Sequence, residues 1–258
     1  MRDTMPYSLV GNTPIIYIHI PKTGGTSLKH YFELPLSGHL TAQENYETHH
    51  LNLRPYRDSY IPDPPPECPW LHQDVVNEKI EKLNEINEKE FQAHGHSRWQ
   101  TAYKFSFVRN PWDRLASMFH HHREDYGGLG EFKVLPEKLK TPGTEMQQSI
   151  LGHTQTRYLV AAEDSLQFIG RYEFLAYDAQ RLYKTLTGNE KVFTSWERKS
   201  ANKDQRYTKM YVDFNHIYEV FALYYEDIKN FNYAFTNTPN CRVTRECFEH
   251  YERENNHV

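Results

Sequence analysis

Two short stretches of this chain combine residue types that hold phosphate. The first is Pro21-Lys22-Thr23-Gly24-Gly25-Thr26-Ser27. Adjacent glycines let consecutive backbone N–H groups curl toward one point, a helix start adds partial positive charge, and hydroxyls and an ammonium complete a cradle for an anion. Lys22 precedes the glycines, whereas in the usual ATP-binding phosphate loop the lysine follows them. The second stretch is Phe107-Val108-Arg109-Asn110-Pro111-Trp112-Asp113-Arg114-Leu115-Ala116-Ser117. Arg109 falls at the carboxyl end of a predicted strand, the edge at which open α/β sheets bind ligands, and Ser117 follows about two helical turns later. Taken alone, the first is also compatible with an ordinary glycine turn, and the second with a strand-helix corner in which Arg114 pairs with Asp113 or a neighbour. Together they suit a nucleotide phosphorylated at both ends of its ribose.

An imidazole of near-neutral pKa suits a general base. His94-Gly95-His96 is the candidate, with His96 as general base and His94 supporting it; His39 is an alternative. His120-His121-His122 would stand about 100° apart on a helix and cannot all face one metal. His49-His50 has no partner at ligand spacing, and no carboxylate cluster is spaced to hold Mg²⁺, so no metal is expected.

The elements that position these groups follow from the flanking pattern. Ile15 to Ile20 is a β-branched run stopped by Pro21, and Thr26 or Ser27 suits the cap of a helix to about Phe32. Tyr103 to Val108 reads as a second strand, after which Asn110 suits an N-cap and Pro111 the first helical position. Leu166 to Ile169 reads as a third strand ended by Gly170, followed by a helix over 177–186. Val76, Ile80, Leu83 and Ile86 recur at helical spacing, and Tyr211, Phe214, Ile217, Tyr218, Phe221 and Tyr225 mark one long helix. Residues 34–74 are proline-rich and irregular apart from a short helix from Thr41, and 126–144, rich in Gly and Pro, read as a surface excursion or lid. Strands alternating with helices argue for a parallel sheet covered on both faces, in one domain over residues 1–258.

Bulk properties narrow the class. The net charge of -4 gives no general attraction to nucleic acid or to an anionic membrane, so anion binding has to come from a local site. The three cysteines are too few and too widely spaced for a disulfide framework, which points to a reducing, cytoplasmic setting. No run of about 18 apolar residues is present to span a bilayer, and the chain reads as soluble; an excised luminal domain of a membrane-anchored enzyme is the alternative.

IHIPKTGGTS and FVRNPWDRLASMF resemble the 5′- and 3′-phosphate-binding motifs of the PAPS-dependent sulfotransferases (PAPS, 3′-phosphoadenosine 5′-phosphosulfate), and the VRNP opening is similar to that of the carbohydrate-type and bacterial branch. Gly170-Arg171-Tyr172-Glu173 is similar to that family's GRFE segment, and the late Tyr-rich helix near Asp227-Ile228 also matches. The resemblance spans roughly residues 15–233. It implies a three-layer sandwich with a central parallel sheet, a P-loop-like nucleotide-binding fold, with PAPS as sulfuryl donor and PAP as product. Carried over by position, Lys22, Thr23, Gly24, Gly25, Thr26 and Ser27 hold the 5′-phosphosulfate, and Arg109 and Ser117 the 3′-phosphate. The His94-Gly95-His96 triplet resembles the catalytic element of heparan sulfate 2-O-sulfotransferase, with a different spacing to the following Arg. The acceptor is then a saccharide or small molecule. The competing readings are an ATP-dependent kinase, disfavoured by the order of the loop and the missing Mg²⁺ carboxylates, and a non-catalytic nucleotide-binding protein.

Overall fold

The computed structural model describes residues 7–34, 42, 81, 85, 89, 98–122, 132–141, 152–160, 166–194, 207–236 and 241–255. The protein is α/β, with a four-stranded, mostly parallel sheet. It divides into two compact units, one of residues Met1–Val108 with Tyr158–Arg198 and the other of Arg109–Arg157 with Lys199–Val258.

The first unit contains the sheet, in the order β1-β2-β3-β4. β1 (Tyr7–Val10) pairs antiparallel with β2 (Thr13–Ile18) across the turn at Gly11 and Asn12, and β2, β3 (Tyr103–Val108) and β4 (Leu166–Arg171) run parallel. The register sets Tyr17 beside Phe105, and Phe105 beside Phe168. Ile15, Tyr17, Phe105 and Phe107 project to one face, where they meet Leu28, Tyr31 and Phe32 of α1 (Gly25–Phe32) and Leu175, Ala179 and Leu182 of α6 (Leu175–Thr187). Each such side chain, fully buried, contributes about 1.5–3 kcal/mol. Alternate residues Ile16, Ile18, Lys104 and Ser106 are buried as well, as parallel strands covered on both faces require. The Lys104 ammonium donates to the carbonyls of Trp99 (2.6 Å) and Ala102 (2.8 Å), at the end of the short helix α2 (Arg98–Thr101), and burial lowers its pKa to about 8.

Three readings of this unit are corrected. β2 ends at Ile18, two residues before the end of the apolar run, because Ile20 takes the hydroxyl of Thr23 into the following turn. α1 is capped by Gly24 in the left-handed conformation rather than by Thr26 or Ser27. Gly170 lies inside β4 rather than ending it, because it pairs with Phe107 in the ladder, and glycine is needed there because the Phe107 ring fills the space beside it; a Cβ would sit 2.3 Å from Cε1. The strand β1, which sequence did not predict, is too short and too mixed to announce itself.

The second unit is helical. α3 (Pro111–His122), α4 (Leu135–Lys140), α7 (Phe214–Leu223) and α8 (Tyr225–Asn230) share a core of Trp112, Leu115, Phe119, Phe132, Leu139 and Phe221 with their neighbours. The indole N–H of Trp112 donates to the Ile217 carbonyl at 3.0 Å, and the Tyr211 hydroxyl donates to the Trp112 carbonyl at 2.9 Å. α9 (Arg242–Asn255) joins through Phe248 on Phe221 and Tyr251 stacked on Tyr225 at 4.2 Å. Within the expected surface excursion, Phe132, Leu135 and Leu139 are buried, since their spacing places them on one helical face. The long helix expected over 211–225 is broken: Tyr211 precedes it, Asp213 caps α7 by accepting the His216 N–H at 2.9 Å, and Tyr224 separates α7 from α8. Aromatic spacing does not register such single-residue breaks. Of the helix expected over 76–90, residues 81, 85 and 89 are described; they are helical and exposed, with Lys89 and Glu85 paired at 2.6 Å.

Candidate active site

The loop from Pro21 to Ser27 leaves β2 and enters α1. Lys22 adopts φ 68°, a left-handed conformation unusual for a side chain of its kind, and Gly24 adopts φ 88°. Thr23 is fully buried and its hydroxyl donates to the Ile20 carbonyl at 2.8 Å, which fixes the turn. No side chain caps α1. A left-handed residue followed by a helical one turns their N–H groups toward a common point, and the uncapped first turn adds to the same field. Both glycines are required by their neighbours. A Cβ on Gly25 would lie 1.8 Å from His19 Nε2, and one on Gly24 would lie 2.9 Å from Leu175 Cδ2 and 3.2 Å from Tyr172. His19 is itself held over the loop by stacking on Tyr17 at 5.4 Å. The approach of Tyr172 to Gly24 gives the GRYE segment a role in shaping the loop. Behind it, the Arg171 N–H donates to Asp178 at 2.8 Å, which fixes the corner between β4 and α6. Ser27 is buried and Thr26 is half-buried.

The second site lies at the start of α3. Asn110 is fully buried and caps the helix as predicted: its Oδ1 accepts the N–H groups of Trp112 (3.1 Å) and Asp113 (3.4 Å), and Pro111 opens the first turn. The Asn110 amide also donates to the Ala234 carbonyl at 2.8 Å. Arg109 Nε donates to Asp113 at 2.8 Å. Asp113 therefore pairs with Arg109, and of the two partners that the strand-helix corner reading allowed Arg114, Asp113 or a neighbour, the structure shows a neighbour, the His153 carbonyl. Ser117 is half-buried on α3, one turn beyond Asp113 and on the same helical face, and Arg109, just before the helix, reaches Asp113.

Sequence reasoning missed the groups that hold Arg109. Gln155, at the start of α5 (Gln155–Leu159), accepts the Arg109 N–H on Oε1 and donates from Nε2 to the Arg109 carbonyl, both at 2.8 Å. The fully buried Asp227 carboxylate accepts the N–H groups of Gln155 and Thr156, both at 2.7 Å, and the Thr156 hydroxyl at 2.9 Å. Burial pushes the Asp227 carboxyl above its ordinary value, against the pull of the Arg114 guanidinium and these donors. Arg114, also buried, donates to the His153 carbonyl at 3.0 Å. A polar residue of these types in a motif gives no hint that it is buried.

His94 and His96 lie outside the described residues, as do His39, His49 and His50. His120 and His121 are exposed at the end of α3. Among the described residues no group of three or more His, Cys, Asp or Glu is placed to hold a metal ion, and no helix is long and apolar enough to cross a membrane.

The sequence model of the sulfotransferase family matches residues 7–234, which takes in the four described strands, the glycine loop and the Arg109 corner. The chain belongs to the sulfotransferase family and is a transferase. No curated protein and no solved structure matches it.

Proposed function

We propose that the protein transfers a sulfuryl group from PAPS to a hydroxyl of a carbohydrate or small-molecule acceptor and releases PAP. The observation that carries this reading is the glycine loop: Lys22 and Gly24 in left-handed conformations, no side chain capping α1, and a family match running through it. Such a loop fits an anionic group, because its N–H groups converge and the helix start favours negative charge.

In this reading the main chain of Thr23, Gly24 and Gly25, with Thr26 and Ser27, holds the 5′-phosphosulfate, and Lys22 stands beside the bridging oxygen. PAPS supplies an activated sulfuryl group on a phosphate leaving group. Sulfuryl transfer, like phosphoryl transfer, places charge on that leaving oxygen, so Lys22 acts by electrostatic stabilisation and the loop by in-line positioning. Arg109 and Ser117 hold the 3′-phosphate. Asp113, itself an anion, orients the guanidinium through Nε. His96 takes the acceptor proton, with His94 in support, on the strength of the resemblance of that triplet. The reading extends to a single three-layer, P-loop-like domain that needs no metal, residing in the cytoplasm.

The test is calorimetric titration of the native chain, Arg109→Ala and Lys22→Ala with PAP, AMP and ATP, without metal. Metal-independent PAP binding that collapses in Arg109→Ala is expected. ATP with Mg²⁺ binding more tightly than PAP would overturn the reading in favour of a kinase, and PAP binding without sulfuryl transfer to any acceptor would favour a binding protein.

A further inference from the structure

Arg109 is the first residue beyond β3, where ladder hydrogen bonding stops, yet its peptide groups are not left to water. The Gln155 carboxamide takes both, accepting the N–H and donating to the C=O at 2.8 Å each. An amide is the one uncharged side-chain group with a donor and an acceptor side by side, so Gln155 pairs with Arg109 as a neighbouring strand's peptide would. Gln155 is 0 % exposed, and its own position is fixed from behind. Its N–H and that of Thr156 end on the two oxygens of Asp227, which caps α5 from 72 residues away. The Nε of the Arg109 side chain is held by Asp113. Gln155 fixes the main chain from which the Arg109 side chain springs and Asp113 fixes its Nε, and together they remove the freedom an arginine otherwise loses on binding an anion.

We infer that Gln155 is a positioning residue for the anion-binding Arg109, an inference that rests on the reading of Arg109 as the holder of the donor's 3′-phosphate. Gln155 touches neither the donor nor the acceptor in this role; it sets where the guanidinium points.

PAP and AMP differ only in the 3′-phosphate, so the ratio of their affinities reads the Arg109 contribution apart from the rest of the site. Gln155→Met keeps the length and bulk of the side chain and removes both bonds. In the full chain, PAP affinity is expected to fall about tenfold or more while AMP affinity stays within about twofold. In an Arg109→Ala background the same change is expected to cost no further PAP affinity. Equal losses for both ligands, or an additive loss in the double variant, would overturn the proposal and leave Gln155 a purely structural residue. If Gln155→Met does not fold, Gln155→Glu replaces only the donor facing the Arg109 carbonyl, and the same ratio decides; failure of both to fold also overturns it. A PAP to AMP ratio that survives Arg109→Ala is a different result, since it sinks the 3′-phosphate reading itself.

Discussion

The glycine loop and the Arg109 corner are built by opposite means. The loop owes its shape to main-chain conformation, to two left-handed residues and to glycines whose missing Cβ atoms make room for His19, Tyr172 and Leu175. The corner owes its shape to buried polar side chains that reach across the sequence, 46 residues from Gln155 to Arg109, 72 from Asp227 to Gln155 and 124 from Asn110 to Ala234. A site made by leaving atoms out is broken by adding one. A site made of side-chain hydrogen bonds is broken by removing a partner, which strands the other in a dry interior.

The sharpest way to break the corner is Asp227→Ala. It removes the buried acceptor of three donors, and we expect a loss of roughly 3 kcal/mol or more in urea unfolding. The matching change in the loop is Gly25→Ala, where one methyl collides with His19. The expected cost is about 1–3 kcal/mol in the same assay, together with loss of AMP binding that no Arg109 variant shows. If Gly25→Ala proved neutral in both, the loop would be freer to adjust than its geometry implies. Asn110→Ala removes the α3 cap and the bond to Ala234, for an expected loss of about 1–2 kcal/mol seen as a lower urea midpoint.

The smallest effect is one of pH. Burial lowers the His216 pKa, against the opposing pull of Glu219 and Asp213, and its ring rests on Phe132 and Tyr211. A lowered folded pKa keeps the imidazole neutral in the native state, while the unfolded chain takes up a proton below the ordinary value of 6.5. Stability from this residue is therefore full above that value and lost as the pH falls through the folded one. Thermal unfolding of wild type is expected to fall off more steeply on acidification than that of His216→Phe, with the two converging in slope above pH 6.5. Parallel profiles would show that His216 takes up its proton as readily in the folded as in the unfolded chain.

Much of this was legible in the sequence because it is local. The β3 strand has the bounds its alternation predicts, Asn110 and Pro111 open α3, and the GG pair sits where a strand turns into a helix. Short-range sterics and hydrogen bonding act on neighbouring residues, so residue order alone fixes them. The sequence also determined which groups were available for anion chemistry, and with them the family. The tertiary structure alone decided that Thr23 spends its hydroxyl on the turn, that Asp113 takes Arg109 rather than Arg114, and that Gln155 and Asp227 brace that arginine. Partners so far apart in the chain are chosen by packing, because a buried polar group must find a donor or acceptor wherever the fold brings one within reach.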